Sequence, residues 1–221
     1  MEYLLTKSTF IRGCQCFKSL YLNRYHRDLK SPISIQQQQV FDRGHSVGKV
    51  AQGLFPDGID LQKKNQFDFD TSISEVKKLF SEKNTVIYEA PFFYDDVLAV
   101  VDILVADNGE RKVYEVKSST SISETYLLDA ALQYWVMKNS GTEPVDFYIV
   151  YLNNNYIYQG ELDLNQLFVI ESVLERILLL QDVVFLKVQE CKRVLTDAQV
   201  PNIGIGEHCK APYRCDFHEH C

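Results

Sequence analysis

The chain of 221 residues has no apolar run of membrane-spanning length and no excess of basic residues. Its longest apolar stretch, VIESVLERILLL, is interrupted by Glu and Arg well before the ~20 residues that a spanning helix needs. The N-terminus lacks the basic-then-apolar layout of a secretory signal, so we expect a cytoplasmic protein with no membrane partner. The net charge of −7 argues against a general polyanion-binding surface, but it does not exclude a local basic patch.

The composition is that of an ordinary globular domain. Hydrophobic residues make up 46% of the chain and charged residues 24%, enough apolar material for a real core. Internal repeats, low-complexity tracts and evident linkers are missing from the sequence, so we expect one domain over residues 1–221. Its expected parts are a helical region (1–84), a sheet core (85–162), a long helix (163–195) and a tail (196–221).

Hydrophobic periodicity predicts helices first and strands later in the chain. The expected class is α/β, with a small mixed central sheet flanked by helices. The predicted helices cover residues 6–26, 37–55, 73–82, 124–139 and 163–195. The predicted strands cover residues 85–94, 97–106, 111–117, 145–152 and 156–160.

The most informative pattern is Asp102 followed by Glu115-Val116-Lys117. Asn108-Gly109 is a strong hairpin turn between the two strands that carry these residues. Residues two apart on a strand share a face, so Glu115 and Lys117 project together and Asp102 can reach them from the neighbouring strand. Two carboxylates beside an ammonium suit a divalent cation, an activated water and developing negative charge. A surface salt bridge on a hairpin explains the spacing equally well.

The cysteines are concentrated at the C-terminus. Three of the six occur in CKAPYRCDFHEHC, and three of the five histidines lie in or beside that stretch. Nothing else indicates secretion, and cytosolic cysteine clusters are more often metal sites than disulfides. We therefore expect a metal site, with unpaired structural thiols as the alternative.

Several motifs in order resemble the RecB-like branch of the PD-(D/E)XK nuclease superfamily. More narrowly, the chain resembles its iron–sulfur members, namely the CRISPR-associated RecB-type exonucleases and a bacterial family that fuses the same module to other domains. Each motif alone is weak, but their order is specific. They are Cys16 opening CFKSLYL, His45 in RGHSVGKVAQ, Asp102, Glu115-Val116-Lys117, Gln133 in LDAALQYWV, and the cysteines at 209, 215 and 221.

The resemblance implies a restriction-endonuclease-like core and a metal-dependent DNA nuclease, to be classed as an exonuclease on single strands or ends. Asp102, Glu115, His45 and the Val116 carbonyl would hold Mg²⁺ or Mn²⁺. Lys117 would orient the water and counter charge on the phosphate, and Gln133 would position the substrate or the lysine. Taken without the resemblance, His45 reads as an ordinary core or surface histidine and Gln133 as a solvent-facing residue.

The resemblance also implies a 4Fe-4S cluster bound by Cys16, Cys209, Cys215 and Cys221. Such a cluster would join the two ends of the chain. Zinc held by these cysteines together with His208, His218 or His220 is the alternative.

Two departures from the family pattern bear on function. The first two C-terminal cysteines are separated by five residues instead of two, and Met137 stands where a tyrosine is common. A weakly cleaving nucleic-acid-binding or assembly module is therefore the alternative function. Partners in CRISPR adaptation, DNA repair or defence all fit the resemblance. The chain ends on Cys221, a proposed ligand, as a domain of a longer protein would.

Overall fold

The computed structural model describes residues 4–80 and 84–221. In these residues, seven strands form one mixed sheet, and helices cover both of its faces. The strands are β1 (Leu5–Thr6), β2 (Ile59–Asp60), β3 (Asn84–Tyr94), β4 (Val97–Asp107), β5 (Glu110–Lys117), β6 (Asp146–Leu152) and β7 (Phe168–Ser172). The helices are α1 (Lys7–Gln15), α2 (Phe17–Tyr25), α3 (Ile35–Ala51), α4 (Leu61–Asn65), α5 (Phe69–Leu79), α6 (Glu124–Asn139), α7 (Leu164–Leu167), α8 (Leu174–Leu178) and α9 (Gln181–Thr196).

The sheet has the order β2-β3-β4-β5-β6-β7, and β1 pairs with β4 outside this path. Strands β3, β4 and β5 form an antiparallel meander, and α6 then carries the chain to β6, which is parallel to β5. Such a crossover places its helix on one face of the sheet. The observed architecture confirms the predicted α/β class and is consistent with a restriction-endonuclease-like core.

Helix α6 is the central helix of the fold. Ten of its sixteen residues are buried, and it contacts β3 and β4 on one side and α1, α8 and α9 on the other. Helix α3 lies on the opposite face, where Val47 and Ala51 pack against Tyr114 and Val116 of β5. The two faces of β5 therefore meet different helices, and the face that carries Glu115 looks towards α6.

Most predicted elements are confirmed within a few residues, including the β4–β5 hairpin. Asn108 and Gly109 both have positive φ, at 49° and 87°, as a tight hairpin turn of this kind requires. The helix predicted for 37–55 is α3, which ends at Ala51 before a short 3₁₀ turn. The helix predicted for 73–82 corresponds to α5, and its last two predicted residues lie outside the described part of the chain.

Three predicted elements are wrong. The helix expected at 6–26 is two helices, because Cys16 adopts an extended conformation (φ −162°, ψ 117°) between α1 and α2. Residues 156–160 form no strand, and β7 pairs with β6 instead. The long helix expected at 163–195 is interrupted by that same strand, so only its last part, α9, is a long helix.

No helix in the described ranges is both long and apolar enough to cross a membrane.

Candidate active site

The edge of β4 changes partner close to Asp102. Residues 103–107 pair with β5, whereas the first two residues of β4 pair with β1. Asp102 lies between these two segments, and its carboxylate accepts a hydrogen bond from the Val116 amide at 2.8 Å. Strand β5 runs antiparallel to β4 and β1 runs parallel to it. Glu115 on β5 and Lys7, the residue that follows β1, therefore approach Asp102 from opposite directions.

Glu115 and Lys117 project from the same face of β5, as their spacing predicts. The Lys117 ammonium lies 2.8 Å from Glu115 Oε1 and 2.5 Å from Asp129 Oδ2 on α6. Burial acts to raise the pKa of Glu115, but the ammonium groups of Lys117 and Lys7 outweigh it and hold that pKa at about 2. Burial likewise acts to lower the pKa of Lys117, and the carboxylates of Asp129 and Glu115 raise it instead. Lys117 is therefore a cation at neutral pH.

Lys7 is a second lysine in this site, and it was not predicted from the sequence. Its Nζ atom lies 3.0 and 3.1 Å from the two oxygens of Glu115 and 3.7 Å from Asp102 Oδ1. It is the first residue of α1, whose start is fixed by a capping box between Thr6 and Thr9. The pairing of β1 with β4 carries it to the site, and no local sequence signal could have revealed this contact.

Gln133 is connected to the site through Asp129, which was also not predicted from the sequence. Gln133 is fully buried, and its Nε2 atom donates to Asp129 Oδ1 at a long 3.4 Å. Its Oε1 atom is buried and has no hydrogen-bond partner among the described residues. The four-residue spacing of Asp129 and Gln133 places both on one face of a helix, and this was the signal available in the sequence. Asp129 therefore accepts hydrogen bonds from both Gln133 and Lys117.

A further carboxylate, Glu89 of β3, lies near Asp102. Its φ of 55° is in the left-handed region, which is unusual for a non-glycine residue inside a strand. Burial raises the pKa of Glu89 to about 7, and the charge of Asp102 contributes to the rise. Burial and the neighbouring Glu115 raise the pKa of Asp102 to about 6. Glu89 therefore belongs to the surroundings of the site.

The structure brings together Asp102, Glu115, Lys117 and, through Asp129, Gln133. His45 is separate: it is exposed on α3, the helix that packs on the other face of the sheet. Val116 contacts Asp102 through its amide N–H, so the predicted role of its carbonyl stays a prediction.

Two carboxylates on one face suit a hard divalent cation, and the ammonium of Lys7 already lies between them. The donor chemistry of Asp102 and Glu115 therefore fits Mg²⁺ or Mn²⁺. Within residues 4–80 and 84–221, however, no group of three or more His, Cys, Asp or Glu side chains has an arrangement that could hold a metal ion. His45 does not complete a three-residue ligand set here.

Three of the four proposed cluster cysteines lie in one region. Cys209 and Cys215 are buried in a small cluster with Leu22 and Phe217. Burial raises the pKa of Cys16, and the charges of Cys215 and Cys209 add to the rise. The Gln15 amide, next to Cys16, donates to the carbonyl of His208, next to Cys209, so Cys16 lies in the same region as the tail. Cys221 is exposed, and all six cysteines are free thiols. The thiol chemistry suits an iron–sulfur cluster, while the buried, unpartnered His208 Nε2 is the feature that suits zinc.

Side-chain contacts tie the tail to the first helix. The Arg12 guanidinium donates to both oxygens of Asp216, at 2.5 and 3.0 Å, and Lys30 lies 2.9 Å from the same carboxylate. The Gln15 amide donates to the carbonyl oxygens of His208 and Tyr213. These contacts join the first helices to the C-terminal tail.

Comparisons with known proteins identify no family. No protein-family model matches the chain, and no curated protein matches it. Among solved structures, the protein SSO0001 is similar over 98% of this chain and 84% of its own, with 13% identity and a TM-score of 0.46. An alkaline exonuclease (LHK-Exo) from Laribacter hongkongensis is similar over 86% of this chain and 89% of its own, with 11% identity and a TM-score of 0.45. Similarities at this level do not establish a function.

Proposed function

We propose that this protein is a metal-dependent nuclease that hydrolyses phosphodiester bonds in DNA, on single strands or at ends. The supporting observation is the buried network at the β4–β5 edge. Asp102 and Glu115 face one another there, and Lys117 is held between Glu115 and Asp129. A surface salt bridge would not require a 2%-exposed glutamate with two lysines. Burial of this kind is typical of functional sites.

Each residue of the network has a role in this proposal. Asp102 and Glu115 would hold Mg²⁺ or Mn²⁺, with the Val116 carbonyl as a further oxygen ligand. The metal would supply charge neutralisation at the phosphate and a more acidic water. Lys117 donates hydrogen bonds from a fixed ammonium, which can stabilise the charge that accumulates on the phosphate oxygens. Asp129 and Gln133 orient that ammonium, and they act through Lys117.

The test is a cleavage assay on end-labelled single- and double-stranded DNA of both polarities, with Mg²⁺ or Mn²⁺ and with chelator. Glu115→Gln and Asp102→Asn keep side-chain shape while removing charge, and we expect each to lower cleavage by about 10²–10³-fold. Glu171→Gln is the matched control, because Glu171 is a strand glutamate outside the site, bonded to Tyr151. DNA left intact by the wild-type protein with either metal would refute the proposal.

We further propose that Cys16, Cys209, Cys215 and Cys221 bind a 4Fe-4S cluster, with zinc as the alternative. This ligand set is supported by the packing of Cys209 and Cys215 against Leu22 of α2 and by the hydrogen bond from Gln15, next to Cys16, to the carbonyl of His208, next to Cys209. Protein purified without oxygen should be brown, with broad visible absorbance bleached by dithionite. Cys16→Ser should lose the colour, whereas Cys14→Ser should keep it. A colourless protein that contains zinc would show that the cysteines bind zinc and not an iron–sulfur cluster.

The second candidate function is a nucleic-acid-binding module that cleaves weakly. The exposed position of His45 favours it, because that residue does not join the two carboxylates. Binding of DNA without turnover, unaffected by Glu115→Gln, would select this candidate.

A further inference from the structure

The Lys7 ammonium is hydrogen-bonded to the Glu115 carboxylate oxygens that would bind the proposed metal. Its distances to Glu115 Oε1 and Oε2 are nearly equal, at 3.0 and 3.1 Å, so it lies near the bisector of that carboxylate. It is also 3.7 Å from Asp102 Oδ1. Mg²⁺ and Ca²⁺ bind carboxylate oxygens at roughly 2.0–2.6 Å, and a cation at such a distance on the same side of Glu115 would overlap the ammonium. The two cations exclude one another.

The backbone of Lys7 is fixed, but its side chain has room to move away. Leu5 is fully buried, β1 pairs with β4, and the Thr6–Thr9 capping box fixes the start of α1. The Lys7 side chain itself is 23% exposed. A lysine ammonium on a flexible four-carbon stem can leave a carboxylate without any change in the backbone. Lys117 differs, because Asp129 on α6 holds it from the other side.

We propose that Lys7 is an internal competitor of the divalent metal. It neutralises Glu115 and Asp102 when the metal is absent, and metal binding displaces it from them. This inference rests on the proposed function, since it assumes that these two carboxylates are metal ligands. It makes Lys7 a residue that sets metal affinity, and it gives the buried acidic site a means of folding before the metal arrives.

The first test measures Mn²⁺ affinity directly, from the electron paramagnetic resonance signal of free Mn²⁺ in titrations of the protein. Lys7→Met keeps much of the length of the side chain and removes its charge. We expect the Kd for Mn²⁺ to fall about tenfold, since hydrogen bonds to a charged group no longer have to be broken. Lys7→Arg keeps the charge and should bind Mn²⁺ about as the wild-type protein does.

Lys192→Met is the matched control. Lys192 is similarly buried, at 16% exposure, and is paired with Asp95 and Asp96 of the turn between β3 and β4. Its substitution should leave the Kd for Mn²⁺ unchanged. An unchanged or higher Kd in Lys7→Met would overturn the inference.

The second test uses the wild-type protein and so does not depend on how the variants fold. Reductive methylation, followed by peptide mass spectrometry, reports how accessible each lysine ammonium is. Lys7 should react slowly in chelator and several-fold faster with saturating Mg²⁺, while Lys192 reacts equally in both. Equal reactivity of Lys7 in the two conditions would contradict displacement.

The outcomes separate this inference from the nuclease proposal. If the wild-type protein binds Mn²⁺ and cleaves DNA while Lys7→Met has the same Kd, only the competitor role fails. If neither protein binds Mn²⁺, the metal-dependent nuclease fails and the competitor role fails with it. If only Lys7→Met binds Mn²⁺, the competitor role is supported in its strongest form.

Discussion

The acidic site and the cysteine tail both lie where the first two helices meet distant parts of the chain, but different forces hold them. In the acidic site, Glu115 contacts both Lys7 and Lys117, and Lys117 also contacts Asp129. Breaking a buried charge pair leaves its partner charged and unpaired, which is costly.

In the tail, Phe217 is fully buried beside the Cys209 and Cys215 thiols. The ion pair between Arg12 and Asp216 lies next to this cluster. Apolar packing contributes to the free energy of unfolding in proportion to the area it buries. Each truncation of an apolar side chain in the tail should therefore lower stability by an amount that depends on the area lost. The acidic site should instead lose function abruptly when one charge is removed.

Tyr213 of the tail lies within electrostatic range of the acidic site. Burial raises the pKa of Tyr213 in the tail, and the charges of Tyr126, Lys117 and Asp129 act on it as well.

The largest expected effect is that of Lys117→Met on catalysis. We expect DNA cleavage to fall by about 10²–10³-fold, because a fixed charge at the phosphate is lost. Single-turnover cleavage with saturating metal measures it, and circular dichroism confirms that the variant is folded. Lys192→Met serves as the control. Cleavage at the wild-type rate by Lys117→Met would show that the charge network is structural only.

The next effect is that of Phe217→Ala on stability. Removal of a fully buried phenylalanine should lower the free energy of unfolding by about 3 kcal/mol. Urea unfolding followed by circular dichroism measures it. Phe185→Ala, at a position that is 48% exposed, should change stability by less than about 1 kcal/mol. Equal effects of the two variants would mean that packing of Phe217 does not hold the tail.

Lowering the pH should destabilise the attachment of the tail to the first helices, because Asp216 becomes protonated. Burial acts to raise the pKa of Asp216, but the hydrogen bonds from Arg12 and Lys30 outweigh it, so the pKa in the folded protein is lower than in the unfolded chain. The stability that Asp216 provides is therefore present above its unfolded pKa of about 3.9 and is lost as the pH falls through the lower, folded value.

Asp216→Asn measures this contribution. At pH 6 the variant should be less stable than the wild-type protein by about 2 kcal/mol, the scale of hydrogen bonds to a charged group. The difference should shrink as the pH falls towards 3 in urea unfolding. A difference that stays constant with pH would contradict the assignment to the carboxylate charge.

The smallest expected effect is that of Gln133→Met on stability. Gln133 makes one long hydrogen bond and has an unpartnered Oε1, so an apolar side chain of similar shape should change the free energy of unfolding by less than about 1 kcal/mol. Cleavage should nevertheless fall, because Asp129 loses a neighbour that orients it. A large loss of stability in Gln133→Met would assign the residue a structural role instead.

The sequence predicted the hairpin and its charged face because both depend on local rules. Alternation with a period of two fixes which side chains share a face, and the turn at Asn108-Gly109 fixes the register. Asp102, Glu115 and Lys117 therefore come together as expected.

Elements whose formation depends on pairing or packing with a distant segment of the chain were predicted less well. Residues 156–160 are rich in tyrosine and isoleucine, yet β7 is the segment that pairs with β6. Periodicity cannot tell a short apolar strand from part of a helix, so residues 168–172 were assigned to the long helix. At Cys16 the apolar pattern continues although the backbone becomes extended, which is why the break between α1 and α2 went unseen.

The amino-acid sequence by itself determined the charged strands and the concentration of cysteines in the tail, because neighbours along the chain carry that information. Only the tertiary structure decided that Lys7 contacts Glu115, 108 residues away, and that Asp129 holds Lys117. It also decided that His45 is exposed on α3, the helix whose Val47 and Ala51 pack against Tyr114 and Val116 of β5. These arrangements follow from how strands pair and helices pack over long distances, and no local propensity specifies them.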